Sequence, residues 1–293
     1  VGFRVLPSIT PEQNGAERSA DAWPFAMRRH RGVSVKVVLF CGGQGMRIRD
    51  YSESVPKPLI RIGYRPILWH VMKYYAHFGH RDFILCLGYK ADVIKDYFLH
   101  YEETLSNDFV LNGGGKEIQL LNRDIDDWRI TFVDTGNSTS IGERLLAVRR
   151  HLVGEEVFLA NYSDGVTDLD LNRYIDDVRR RNPVASFLSV RPNLSLHAVS
   201  TRDGGVVERI EPFSTASIWI NGGYFVLRPE IFDYLHPGED LVVEAFQRLI
   251  ARGEVYAHTY EGFWAAMDTF KDREQLDDLW SRGEAPWMVW REP

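Results

Sequence analysis

The sequence predicts an α/β fold with a mostly parallel central sheet flanked by helices, and three observations predict it. From residue 35 to residue 190, β-rich apolar runs alternate with stretches of helical periodicity. Most connections between them are short, and parallel strands need crossover helices that cover the sheet. Several of the β-rich runs are apolar throughout, as strands buried on both faces are. With 293 residues, 44% of them hydrophobic, the chain can bury a large core, as one domain or as a domain with a smaller appendage.

Residues 1–34 contain Pro7, Pro11, Pro24 and the cluster Arg28, Arg29, His30, Arg31, with no regular period, and are expected to form an N-terminal extension or arm. Residues 35–41 form the first expected strand, closed by Gly42-Gly43. Pro66 opens a helix carrying Ile67, Leu68, Val71, Met72, Tyr75 and Phe78 on one side, and Gly79 ends it. A strand over 83–87 ends at Gly88, and a helix covers 91–101. Residues 104–127, with their "NGGGKE", break the rhythm as a long excursion, of the kind that often borders a site. A strand over 129–133, a helix over 142–152, a strand over 157–161, a helix over 171–181 and a strand over 184–190 follow. Beyond residue 195 come shorter strands, then helices near 229–235, 241–251 and 273–280.

A formal net charge of -6 argues against general attraction to nucleic acid or to an anionic membrane. No run approaches the roughly 20 apolar residues of a spanning helix. Two cysteines, Cys41 and Cys86, are too few for a disulfide framework or a four-cysteine zinc site, and both lie in apolar runs. These features lead us to expect a soluble, cytoplasmic protein without a nucleic-acid or membrane partner.

The stretch "VVLFCGGQGMRIRDYSESVPKPL" carries the most chemistry. Gly42, Gly43 and Gly45 allow a backbone to approach an anion, and a plain strand-ending turn accounts for them equally well. Arg47 and Lys57 add two cations, the second held between prolines of fixed φ, and catalysis at phosphorus is largely positioning and charge neutralisation. Ligands of parallel sheets gather at the carboxyl ends of strands, which marks Gly88 and Asp164 as well. Asp164, before Gly165, suits either a hard cation or an Asx-turn. Asp268 in "EGFWAAMDTFKD" suits a second metal ligand or the N-cap of the helix that follows. His70, on an expected helix, reads as packed or solvated rather than catalytic.

"GGQGMRIRDYSESVPKPL" resembles the G-G-x-G-x-R…P-K-P signature of sugar-1-phosphate nucleotidylyltransferases. "GYRPILWHVMKYYAHFG", "VDTGNSTSIGERL", "YSDGVTDLD", "INGGYFVL", "GFWAAMDT" and "LWSRGEAPWMVW" resemble the glucose-1-phosphate cytidylyltransferase branch, in order over residues 35–291. The resemblance implies a Rossmann-like nucleotidyltransferase fold over 35–293, with a nucleotide-binding half to about residue 165 and a sugar-binding, oligomerising part beyond it. It also implies Mg2+ as cofactor, CTP or another nucleoside triphosphate and a sugar 1-phosphate as partners, and a homo-oligomer. Residue by residue it places Arg47 and Lys57 in catalysis, and Gly42, Gly43, Gly45, Met46, Gly88 and Arg144 at the nucleotide. Tyr162, Asn221 and Gly222 fall at the sugar, and Asp164 and Asp268 at the metal.

Some positions depart from that pattern. Glu211 is followed by Pro212 where the family has Glu-Lys-Pro, and Arg-Phe-Gly is missing from "RPNLSLHAVST". Met46 replaces a threonine, Val55 a frequent lysine, and Ser163 the glycine of Tyr-Gly-Asp. Arg191 or Arg209 could supply the missing cation, the acceptor could differ from glucose 1-phosphate, or the protein could bind nucleotide without turnover.

Overall fold

The computed structural model describes residues 34–43, 55–192, 197–213 and 218–291. The expected arm and the site residues Gly45, Met46 and Arg47 lie outside them. Seven strands form the main sheet: β1 Val37–Phe40, β2 Asp82–Leu87, β3 Arg129–Asp134, β4 Phe158–Asn161, β5 Ala185–Val190, β6 Ile220–Leu227 and β7 Val255–Tyr260. Their spatial order is β7-β5-β6-β4-β1-β2-β3. β6 runs antiparallel to both neighbours, β4 and β5, and the remaining pairs are parallel.

Alternate residues of a strand face opposite sides, so the uninterrupted apolar strands at the centre of the sheet build two cores. Val37, Leu39, Phe83, Leu85 and Leu87 belong to one, and Val38, Phe40, Ile84 and Cys86 to the other. Helices α1 Ile67–His77, α2 Ala91–Leu99 and α4 Leu171–Arg181 supply apolar residues to the first core, as does α6 Phe270–Ser281. Helices α3 Ile141–Val148 and α5 Phe246–Ile250 cover the second. Burial of each leucine or phenylalanine here contributes roughly 1.5–3 kcal/mol.

Local chemistry sets the helix ends. Ser140 and Glu143 form a capping box that starts α3. Asp170 accepts from the Arg173 amide and caps α4. Thr269 and Asp272 form the box that starts α6, so Thr269 rather than Asp268 is its cap. The Asp268 side chain is therefore available for other contacts.

Three expected elements take different forms. Residues 229–235 hold a short 3-10 helix, Pro229–Asp233, opened by a proline at its start. Residues 241–251 begin as a π turn, Leu241–Ala245, before α5. The excursion at 104–127 contains an antiparallel ribbon, Phe109–Asn112 with Glu117–Leu120, joined by three consecutive glycines at positive φ. Residues 102–126 fall in a compact unit separate from the one holding 34–101 and 127–293. Within them Glu103 accepts from the Asp124 amide at 2.9 Å, and Asp124 accepts from the Ser106 hydroxyl at 2.6 Å. No helix among the described residues is long and apolar enough to cross a membrane.

Two buried histidines belong to the scaffold. His70 Nε2 donates to the Ile62 carbonyl at 3.0 Å, and the Trp287 indole N–H donates to His70 Nδ1 at 3.3 Å. The ring thus ties the C-terminal segment to α1 and is neutral. The Val35 amide donates to His80 Nδ1 at 3.1 Å. Burial, with nearby arginines, pushes both histidines down to about 4. In the unfolded chain they titrate near 6.5. Below that pH the unfolded state takes up protons that the folded state refuses, so their stabilisation is complete above pH 6.5 and is lost as pH falls towards 4. Each histidine contributes a slope of up to about 1.4 kcal/mol per pH unit. The thermal midpoint is expected to fall between pH 6.5 and 5, and His70→Gln to flatten that fall. An unchanged slope in the variant, followed by circular dichroism, would contradict the account.

Candidate active site

The carboxyl ends of β1, β2 and β4 bring the predicted residues together. Lys57 lies in the 3-10 turn Lys57–Leu59, which Pro56 precedes and Pro58 stiffens. Asp164 lies just after β4, and Asp268 just before α6. Lys57 Nζ donates to Asp164 Oδ2 and to Asp268 Oδ1, both at 2.7 Å. Residues 107 and 211 positions away from Lys57 thus converge on one ammonium group. The reading of Asp268 as the helix cap gives way, since Thr269 caps α6.

The electrostatics of the trio are those of a partly enclosed ion cluster. Burial opposes the charged form of Lys57, but attraction to Asp164 and hydrogen bonds to both carboxylates outweigh it and hold its pKa above the usual lysine range. Burial pushes the Asp164 carboxyl up, against the pull of Lys57. The Asp268 side chain is 43% exposed and faces the more open side. Two carboxylate oxygens directed at one cationic point form a donor set that fits Mg2+, which takes few protein carboxylates and fills its shell with water and phosphate oxygens. Among the described residues, no cluster of three or more His, Cys, Asp or Glu side chains could hold a metal alone.

Gly42, the first of the opening glycines, has a side-chain partner within the chain. Arg144, one turn into α3, is 3% exposed. Its guanidinium donates to the Leu87 carbonyl at 3.3 Å, the Thr135 hydroxyl at 2.7 Å and the Gly42 carbonyl at 3.0 Å. It therefore pins the ends of three adjacent strands, β1, β2 and β3. A Cβ on Gly42 would stand 1.9 Å from Arg144 Nη1, and one on Gly88 would stand 2.5 Å from the Gly136 carbonyl oxygen. Glycine at both positions is required by this close approach. Among the described residues, nothing lies within 4 Å of a Cβ built on Gly43.

The residues expected at the sugar also meet. Asn221 Nδ2 donates to the Tyr162 hydroxyl at 3.3 Å, and the Trp264 indole N–H donates to the Gly222 carbonyl at 2.8 Å. Tyr224 donates to the Gly165 carbonyl at 2.8 Å, tying β6 to the residue after Asp164. Beside Asp268 lies a cavity of about 430 Å³, walled by Phe263, Trp264, Ile220 and Leu276. Of the two arginines considered as substitutes for the missing lysine, Arg209 pairs with Glu211 at 3.2 Å on the exposed ribbon His197–Arg202/Val206–Pro212. Arg191 directly follows β5 and pairs with Glu261 at 3.7 Å, with its guanidinium 4.8 Å from the Trp219 ring centre.

The sequence does not single out Thr135, Asn161 or Trp264, whose side chains hold the backbone around the site. For Thr135 and Trp264 the signal lies in hydrogen bonds between residues distant in the chain, and Asn161 accepts from the Ser163 amide two residues on. Cys41 is pushed up to about 12 by burial and stays a thiol. It is a packing residue.

A family model described as nucleotidyl transferase matches residues 36–281. A glucose-1-phosphate cytidylyltransferase of Salmonella typhimurium is 37% identical over 257 residues, covering 87% of this chain and 100% of that relative. The enzyme of the same name from Salmonella typhi is 36% identical over 257 residues, with the same coverage. Among solved structures, HddC from Yersinia pseudotuberculosis superposes with a TM-score of 0.60 at 18% identity, over 84% of this chain and 99% of that one. With the sheet order, the converging lysine and aspartates, and these matches taken together, the chain belongs to the nucleotidyl transferase family.

Proposed function

We propose that the protein transfers a cytidylyl group from CTP to a sugar 1-phosphate, glucose 1-phosphate or a close variant, with Mg2+ held by Asp164 and Asp268. The observation that carries this reading is the convergence of both carboxylates on Lys57 at the carboxyl end of a parallel sheet, where phosphate-bearing ligands gather. The named relatives supply the base and the acceptor.

In the proposed reaction an oxygen of the sugar phosphate attacks the α-phosphorus of CTP, and the bond to the β-phosphate breaks to release pyrophosphate. A phosphate dianion is already nucleophilic at neutral pH, so no protein base is needed. When bound, Mg2+ supplies charge neutralisation at the phosphate oxygens. Lys57 orients and neutralises the triphosphate, helped by Arg47. The Gly42 carbonyl is held by Arg144, and Gly42, Gly43, Gly45 and Met46 serve the nucleotide. Gly88 lines the nucleotide side. Tyr162, Asn221 and Gly222 shape the acceptor side.

Pyrophosphate release with Mg2+, for four nucleoside triphosphates crossed with a panel of sugar 1-phosphates, tests the reading. The expected signal is confined to CTP. Turnover with another base would change the donor, and CTP binding without release on any acceptor would favour a silent nucleotide-binding protein.

A further inference from the structure

Three non-glycine residues among those described have positive φ: Lys90, Ser163 and Asn182. Asn182 follows α4, at a helix C-terminus where such a conformation is common, and Lys90 is the residue before α2. Ser163 sits at no helix boundary. It is 1% exposed, lies in an irregular segment and has φ 64°. Serine in this region carries a strain that glycine would not, and such strain gathers where the surroundings impose it for function.

Two hydrogen bonds impose it here. The Ser163 amide donates to Asn161 Oδ1 at 2.7 Å, and the Ser163 hydroxyl donates to the Phe40 carbonyl at 2.8 Å. Asn161 Nδ2 in turn donates to the Tyr75 hydroxyl of α1 at 3.3 Å. Phe40 is the last residue of β1, two before Gly42, whose carbonyl Arg144 holds from the other side. Asp164 is the residue after Ser163. The hydroxyl therefore bridges the strand that leads into the glycine loop and the peptide that carries the carboxylate bonded to Lys57. A glycine at this position accepts the same φ without strain but offers no such bridge.

We propose that Ser163 is a positioning residue for this active site, its hydroxyl locking the start of the glycine loop to the Asp164 backbone so that the two move as one piece. The inference rests on the proposed nucleotidyl transfer only for its kinetic readout.

Two variants and two kinds of measurement test it. Ser163→Gly removes the bridge and the strain together, so its thermal midpoint is expected to stay near wild type. Its kcat for pyrophosphate release is expected to fall roughly tenfold, with KM for CTP changed less than threefold. Ser163→Ala keeps the strain and loses the bridge, and is expected to show the same kinetic loss with a lower midpoint. Independently of turnover, hydrogen exchange in the peptide spanning residues 35–43 is expected to quicken in both variants. A Ser163→Gly protein with wild-type kcat and unchanged exchange overturns the proposal. A lower midpoint in both variants with unchanged exchange and unchanged kcat assigns Ser163 to packing alone and overturns it too. Wild-type protein that releases no pyrophosphate defeats the reaction reading, while quickened exchange in the variants would still establish the bridge.

Discussion

Asp164→Asn is expected to lower kcat for pyrophosphate release by on the order of 10³-fold, about 4 kcal/mol of transition-state stabilisation, while the protein remains folded. The size follows from what the carboxylate faces. Asp164 and Asp268 both bond Lys57 at 2.7 Å, and a Mg2+ ion that these two carboxylates would hold would keep a single charged protein ligand in the variant. Asparagine keeps the shape and one oxygen but removes the charge. Stability should respond far less, because burial already opposes the Asp164 carboxylate and Lys57 keeps Asp268 as a partner. Loss of one partner of a buried pair is costly when it strands the other, and here it does not. Circular dichroism should thus show a midpoint within a few degrees of wild type. Near-normal turnover in Asp164→Asn would remove the carboxylate from the mechanism, and a collapsed fold would make the trio a structural ion cluster.

Much of this site can be read in the sequence, and the reason is local chemistry. Lys57 between two prolines and Asp164 before a glycine at a strand end each carry a signal within a few residues. The two-sided burial of β1 and β2 is equally visible, because a strand covered on both faces needs apolar side chains at every position. Where the sequence falls short, the determining contact spans the chain or turns on a neighbouring side chain. Asp268 has the composition of a helix cap, whereas Thr269 and Asp272 form the capping box, a choice between residues one position apart. The ribbon at 109–120 has strands exposed on both faces, and so lacks the alternation that marks a half-buried strand. Ser163 reads simply as a stiffer replacement for glycine, since neither its φ nor its bond to Phe40 has a sequence signature.

The glycines teach the same lesson from the opposite direction. Gly42 reads as room for a phosphate, and the side chain that claims the room is Arg144, 102 residues away. This arginine bears on how the nucleotide site is held, and Arg144→Ala distinguishes the two ways it could act. Burial pushes its pKa down from the usual arginine range, and its three side-chain bonds go to neutral acceptors at the ends of β1, β2 and β3. Truncation would leave the Gly42 carbonyl short of a donor and open a cavity, while the Leu87 carbonyl keeps the Thr135 amide and hydroxyl, at a cost of about 2–4 kcal/mol. The Gly42 carbonyl would lose its anchor, and the amides that follow would lose their fixed direction. The expected result is therefore a joint loss, with the thermal midpoint falling by several degrees and CTP affinity in calorimetry falling at least tenfold. Arg144→Lys should not restore either, because one ammonium cannot reach three acceptors in the fork geometry of a guanidinium. Weaker CTP binding at an unchanged midpoint would instead mean that the guanidinium leaves its carbonyls to touch the nucleotide. Unchanged CTP binding at a lowered midpoint would confine Arg144 to the scaffold, and the glycine loop would then have to hold its shape without it.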